Sequence, residues 1–122
     1  MDAGELLAKK KLREVTLTVQ VEGDSADLQL RALPRKEYRL LLEAHPGADG
    51  KSFDYDTFPP ALIAASVVEP AFTLEQATEL WEEWEDGDAS RLFLACFDLN
   101  EVGLGVGFTT PGSDSTVGSG KN

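Results

Sequence analysis

Cysteine is nearly absent from this chain. Of 122 residues only Cys96 carries a thiol, so no intramolecular disulfide can form. Histidine also occurs once, as His45. One thiol and one imidazole leave little from which to assemble a nucleophile, a base and an orienting group, and no Cys/His spacing of a zinc site occurs. Long apolar runs are missing too. The stretch Met1–Lys9 starts acidic and has neither a secretory apolar region nor the length of a membrane span. Basic residues are scarce from residue 46 onward, three Lys/Arg against fourteen Asp/Glu, whereas residues 1–45 hold eight of each. That asymmetry accounts for the whole net charge of −11. Such a surface repels nucleic-acid phosphates and anionic membranes and is steered toward basic protein surfaces. These scarcities predict a protein of a reducing, cytoplasmic compartment that binds another protein and performs no catalysis.

The hydrophobic fraction, 42 %, suffices for a core, and the length fits one domain with a tail. Residues 1–13 predict a short N-terminal helix or arm, with Leu6, Leu7 and Leu12 apolar and Lys9, Lys10 and Lys11 in solvent. Residues 14–33 predict an antiparallel hairpin. Val15, Leu17, Val19 and Val21 alternate with Thr16, Thr18 and Gln20. After a turn at Glu22-Gly23-Asp24-Ser25, Ala26, Leu28, Leu30 and Ala32 alternate with Asp27, Gln29 and Arg31. Two strands are marginal alone, so helices must cover their apolar face. Pro34 opens the next helix at its first position, Tyr38, Leu41, Leu42 and His45 give it a core stripe, and His45-Pro46 ends it. His45 reads as a capping or partly buried group near that helix end.

Asp56 to Pro70 is a helix framed by Pro59-Pro60 and Glu69-Pro70, apolar from Ala61 to Val68 except for Ser66. A helix so apolar lies in the core or is half-covered by a partner. Thr73-Leu74-Glu75-Gln76 is a capping box opening a helix over 73–86. Leu74, Ala77, Leu80, Trp81 and Trp84 form its apolar face, opposite five glutamates. Gly87 is expected to break it and Asp88 to cap a last helix over 89–101, in which Cys96 is a small buried hydrophobe. Residues 103–122, rich in glycine, serine and threonine, predict a flexible tail or linker. The expected fold is therefore α+β: a small N-terminal hairpin on a bundle of about four short helices over 34–102.

Candidate chemistry is sparse. Asp49, Asp54 and Asp56 share a loop but lack the order of a calcium-binding loop. No phosphate-cradling or dinucleotide motif occurs, and Gly103-Leu104-Gly105-Val106-Gly107 has no strand–loop–helix context. No cofactor, metal or catalytic residue is expected. Tryptophan is enriched at interface hot spots. Partner contact is accordingly assigned to Phe58, Leu62, Trp81 and Trp84, along a groove expected between helices 58–69 and 73–86, with one indole in the core and the other at the partner.

The stretches Leu33–Tyr38, Asp56–Ala65, Val68–Pro70 and Thr73–Trp81, with the Phe-Pro-Pro block the most specific, resemble the tail assembly chaperones of long-tailed bacteriophages, particularly those of actinobacterial phages and prophages. The resemblance spans about residues 15–101. It implies a protein of the bacterial host cytoplasm, absent from the finished virion, that coats the tape measure protein, keeps it soluble and helps recruit tail tube subunits. In that family a ribosomal frameshift often appends a second domain, and a glycine-rich end suits such a junction. The resemblance carries no catalytic or binding positions; the four partner residues rest on the residues alone. Two other classes compete: an acidic inhibitor mimicking nucleic acid through the carboxylates of 75–88, and a minor structural head–tail or tail component. Self-association is left open.

Overall fold

A computed structural model describes residues 1–48 and 53–101. Its elements run α1 (Ala3–Lys9), β1 (Glu14–Val21), β2 (Asp24–Arg31), α2 (Arg35–Ala44), α3 (Phe58–Ser66), β3 (Val67–Glu69), α4 (Leu74–Glu83) and α5 (Asp86–Asn100). The class is α+β, with a three-stranded antiparallel sheet ordered β1-β2-β3. The glycine-rich stretch 103–122, expected to be a flexible tail, lies outside the described residues.

The hairpin follows from its alternation. Pairing runs from Val21↔Asp24 to Glu14↔Arg31, so only Glu22 and Gly23 form the turn, two residues fewer than expected. Both take positive φ, 32° and 80°. Turns of that hand match the strand twist, and glycine supplies the second position without steric cost. On the wet face Thr18 donates to Asp27 at 2.7 Å, and Arg31 pairs with Glu14 at 3.3 Å. On the other face Val19, Leu28 and Leu30 are buried, but Val15 and Val21, at the two ends of β1, are 44 % and 41 % exposed. The helices therefore cover only the middle of β1.

A third strand replaces the end of the expected helix 58–69. α3 stops at Ser66, and Val67–Glu69 pairs with β2, Val67 opposite Leu30 and Glu69 opposite Gln29. Two β-branched valines suit extended backbone, and Pro70 disfavours helical geometry at Glu69. What remains of α3 is central. Phe58, Leu62 and Ile63 are wholly buried and Ala61 nearly so, with Pro59 and Pro60 in the first turn where no donor is needed.

α4 begins as its sequence predicts. The Thr73 hydroxyl accepts from Gln76 N–H and the Gln76 side chain accepts from Thr73 N–H, each at 3.0 Å. It ends at Glu83, where Trp84 turns to extended backbone. Gly87 does not separate the two helices. α5 starts at Asp86, so Gly87 and Asp88 lie in its first turn, where the acids oppose the positive end of the helix dipole.

The core joins Leu28, Leu30, Phe58, Leu62, Ile63, Val67, Leu92, Phe93 and Cys96. A half-buried polar fastener closes it at one end. The Asn100 side-chain oxygen accepts from Leu33 N–H at 2.6 Å, and its amide donates to the Cys96 carbonyl at 2.8 Å and to the Ser66 hydroxyl at 3.2 Å. One side chain thus ties the ends of α5 and α3 to the exit of the hairpin. Arg13 donates to the Leu99 carbonyl and Arg91 to the Thr18 carbonyl, fixing β1 against α5.

Candidate binding surface

The four residues assigned to partner contact occupy different places. Phe58 and Leu62 are fully buried and present no surface to a partner, which corrects their assignment. Phe58 sits inside an aromatic cluster, with ring centroids 4.6 Å from Phe53, 6.1 Å from Phe93 and 6.3 Å from Tyr38. The expected groove between α3 and α4 is closed as well, because Ala77 and Leu80 of α4 are buried against that core.

Trp81 and Trp84 are both half-buried but face different surroundings. The Trp81 ring meets Phe93 edge-on at 5.8 Å and extends the aromatic cluster. Trp84 instead lines an open groove of about 480 Å³ beside α4. Pro70, Ala71, Phe72, Leu80 and Trp84 make its apolar walls, and Gln76, Glu79 and Glu83 its polar rim. Positions 76, 79, 80 and 83 are three or four apart, so α4 presents them along a single side. Pro70–Phe72 faces them because β3 delivers the chain there before Thr73 caps α4. Sequence reading missed Phe72, Glu79 and Glu83 as groove residues. The signal available was an aromatic held between a proline and a capping box.

The titratable groups have structural settings. His45 Nδ1 lies 3.0 Å from the Thr57 hydroxyl, with its ring beside Phe58, linking the end of α2 to the start of α3. Burial pushes the Cys96 thiol up to about 12, so it stays protonated and a poor nucleophile near neutral pH. Burial, and after it the hydrogen bond and charge of Glu101, raise the Tyr38 phenol, which donates to that carboxylate. Asp54 accepts from Asp56 N–H at 2.8 Å, a local turn bond, while Asp49 lies outside the described residues. Among the described residues no group of three His, Cys, Asp or Glu side chains could hold a metal ion, and no helix is long and apolar enough to cross a membrane.

The fold is a small α+β domain with an open apolar, acid-rimmed groove beside α4. Comparison with known protein families, curated proteins and solved structures finds no match to this chain.

Proposed function

We propose that this protein is a tail assembly chaperone of a long-tailed phage or prophage. On this reading it acts in the host cytoplasm without enzymatic chemistry, binds the tape measure protein, holds it soluble while tail tube subunits are recruited, and leaves before the virion is complete. The observation that carries the reading is the open groove of Pro70, Ala71, Phe72, Leu80 and Trp84 with Glu79 and Glu83 at its rim. An amphipathic helix of a client lays its apolar stripe into such a groove, and flanking carboxylates select clients with basic residues beside the stripe. The net charge of −11 favours solubility of the complex. The resemblance of the Phe58-Pro59-Pro60 and Thr73–Trp81 stretches to tail assembly chaperones supplies the identity of the client.

The test is co-expression with the tape measure and tail tube proteins of the same genome. The expected outcome is a soluble complex with the tape measure protein, weakened by Trp84→Ala. An insoluble tape measure protein and no complex would sink the reading. Capture of a DNA-binding enzyme, lost in high salt, would favour nucleic-acid mimicry instead. Presence of the chain in purified virions would favour a structural tail role.

A further inference from the structure

Among the described residues the N-terminal arm finds no seat on its own domain. α1 carries a complete capping box, in which Asp2 accepts from Glu5 N–H at 2.8 Å and Glu5 accepts from Asp2 N–H at 3.2 Å. Yet none of its residues is buried, and Leu6 and Leu7 stand 59 % and 79 % exposed. Seven helical residues are too few to persist in water on propensity alone, so a helix of this length is stabilised by docking. Lys9, Lys10 and Lys11 follow directly, making a short apolar helix with a basic end.

The α4 groove is complementary on both counts. Its walls are apolar, and its side of the molecule bears Glu79 and Glu83, with Glu75 and Glu82 exposed on the same helix. In the folded chain the arm is not seated in this groove, since none of the residues of α1 is buried. Arg13 is pinned: its carbonyl accepts from Ala32 N–H at 2.8 Å and its guanidinium donates to the Leu99 carbonyl. Trp84 lies beside Val19–Val21, toward the far end of β1, while the Pro70 wall follows Glu69, whose partner Gln29 pairs with Thr16 near the Arg13 end. From Arg13 to Val19 the strand covers about 20 Å, comparable with the reach of about 18 Å from Arg13 to Leu6 through the extended link and the last turns of α1. Docking within one chain is therefore an outcome that the test must separate.

We propose that the N-terminal arm of one copy docks in the α4 groove of a second copy, with Leu6 and Leu7 on the wall formed by Phe72, Leu80 and Trp84, and Lys9–Lys11 against Glu79 and Glu83. Reciprocal exchange closes a dimer; one-way contact continues into longer assemblies. The contact occupies the groove assigned above to a client, so client binding and self-association compete. It is nonetheless read on the purified chain alone, whatever the client.

Sedimentation equilibrium of the full chain tests it. An arm this small predicts association with a Kd of about 10 µM to 1 mM, weakened as salt screens the lysine–glutamate pairing. L6D/L7D and, separately, E79K/E83K raise the Kd at least about thirtyfold, as the loss of a hot-spot contact does. The urea midpoint of these variants, measured on dilute monomer, stays unchanged, because all four side chains are exposed. K9E/K10E/K11E and E79K/E83K each fail to self-associate, yet together they form a mixed complex, since each arm then meets a groove of opposite charge. A monomer at concentrations up to about 1 mM, or association that survives L6D/L7D, overturns the proposal. So does a monomer in which a spin label on Leu6→Cys broadens the resonances of its own groove, which would place the arm in cis.

Discussion

Replacing Asn100 by alanine tests whether one side chain fastens the ends of α3, α5 and the hairpin. The substitution removes three hydrogen bonds at once, to Leu33 N–H, the Cys96 carbonyl and the Ser66 hydroxyl. Each such bond contributes about 1 kcal/mol net, and a buried group left without a partner costs about 1–3 kcal/mol. Ser66 is wholly buried and feels the loss fully, whereas Asn100 is half-buried and water can replace part of the remainder. The expected cost is therefore about 2–3 kcal/mol, below the simple sum. For a domain of this size each kcal/mol moves the Tm by about 4–8 °C. Urea titration followed by tryptophan fluorescence gives the value, with an unchanged m confirming that the denatured state is unaltered. Asn100→Asp adds a signed check. It loses the amide donor and sets a carboxylate beside the Cys96 and Ser66 oxygens, which raises its pKa in the folded state. Its stability deficit relative to the parent then grows as pH rises above about 4, the unfolded value. A loss below about 0.5 kcal/mol for Asn100→Ala, or a flat pH profile for Asn100→Asp, would refute the fastening role.

Trp81→Ala should cost about 2–4 kcal/mol through the aromatic cluster, while Trp84→Ala costs less stability and more client capture; thermal melts and pull-downs of the two separate these effects, and equal melts would refute the split. Cys96 should resist a thiol reagent in the native protein and react at the rate of a free thiol in urea, a contrast that fast native labelling would overturn. Its pKa, raised from 9.0 to about 12, works the same way. The stability it contributes is fully present below about 9 and lost as pH climbs toward 12, so the urea midpoint should fall across that window, and fall less in Cys96→Ala. Gly23→Ala, at φ 80°, should destabilise the hairpin by about 1 kcal/mol; the open space around that position leaves backbone strain as the cause.

The parts of the fold legible in the sequence are those fixed by local chemistry. Alternation over Val15–Val21 and Ala26–Ala32 marked both strands of the hairpin, and Thr73 with Gln76 marked the start of α4 to the residue. What stayed hidden depends on distant partners. An unbroken apolar run such as Ala61–Val68 has no period, so it cannot say where helix gives way to a buried strand. The choice is made by Leu30, which offers Val67 a pairing edge from the hairpin. Gly87 misled for a different reason. Glycine is a poor helix former in the interior of a helix, but here it lies in an exposed first turn, where Asp86 and Asp88 oppose the positive end of the helix dipole. Asn100 gave no local signal at all, since its partners lie at the ends of other elements.

The candidate surface was half legible, and the missing half explains where it lies. Two tryptophans three apart share a face only while the helix between them continues. α4 ends at Glu83, and the extended backbone of Trp84, with ψ of 156°, takes the second ring out of the helical frame. Trp81 therefore stays with Phe93 in the core, and Trp84 is left to wall a groove with Phe72. The same geometry moves the glutamates. On a continuous helix Glu79 and Glu83 would be a solvated flank; beside the returning Pro70–Phe72 segment they become the rim of an apolar cleft. The Phe58–Leu62 block, the most distinctive stretch of the sequence, lies in the core and not in the groove. Buried there, it packs α3 against α4, and α3 leads directly into β3, so the groove walls of α4 and Pro70–Phe72 are both built on the same core.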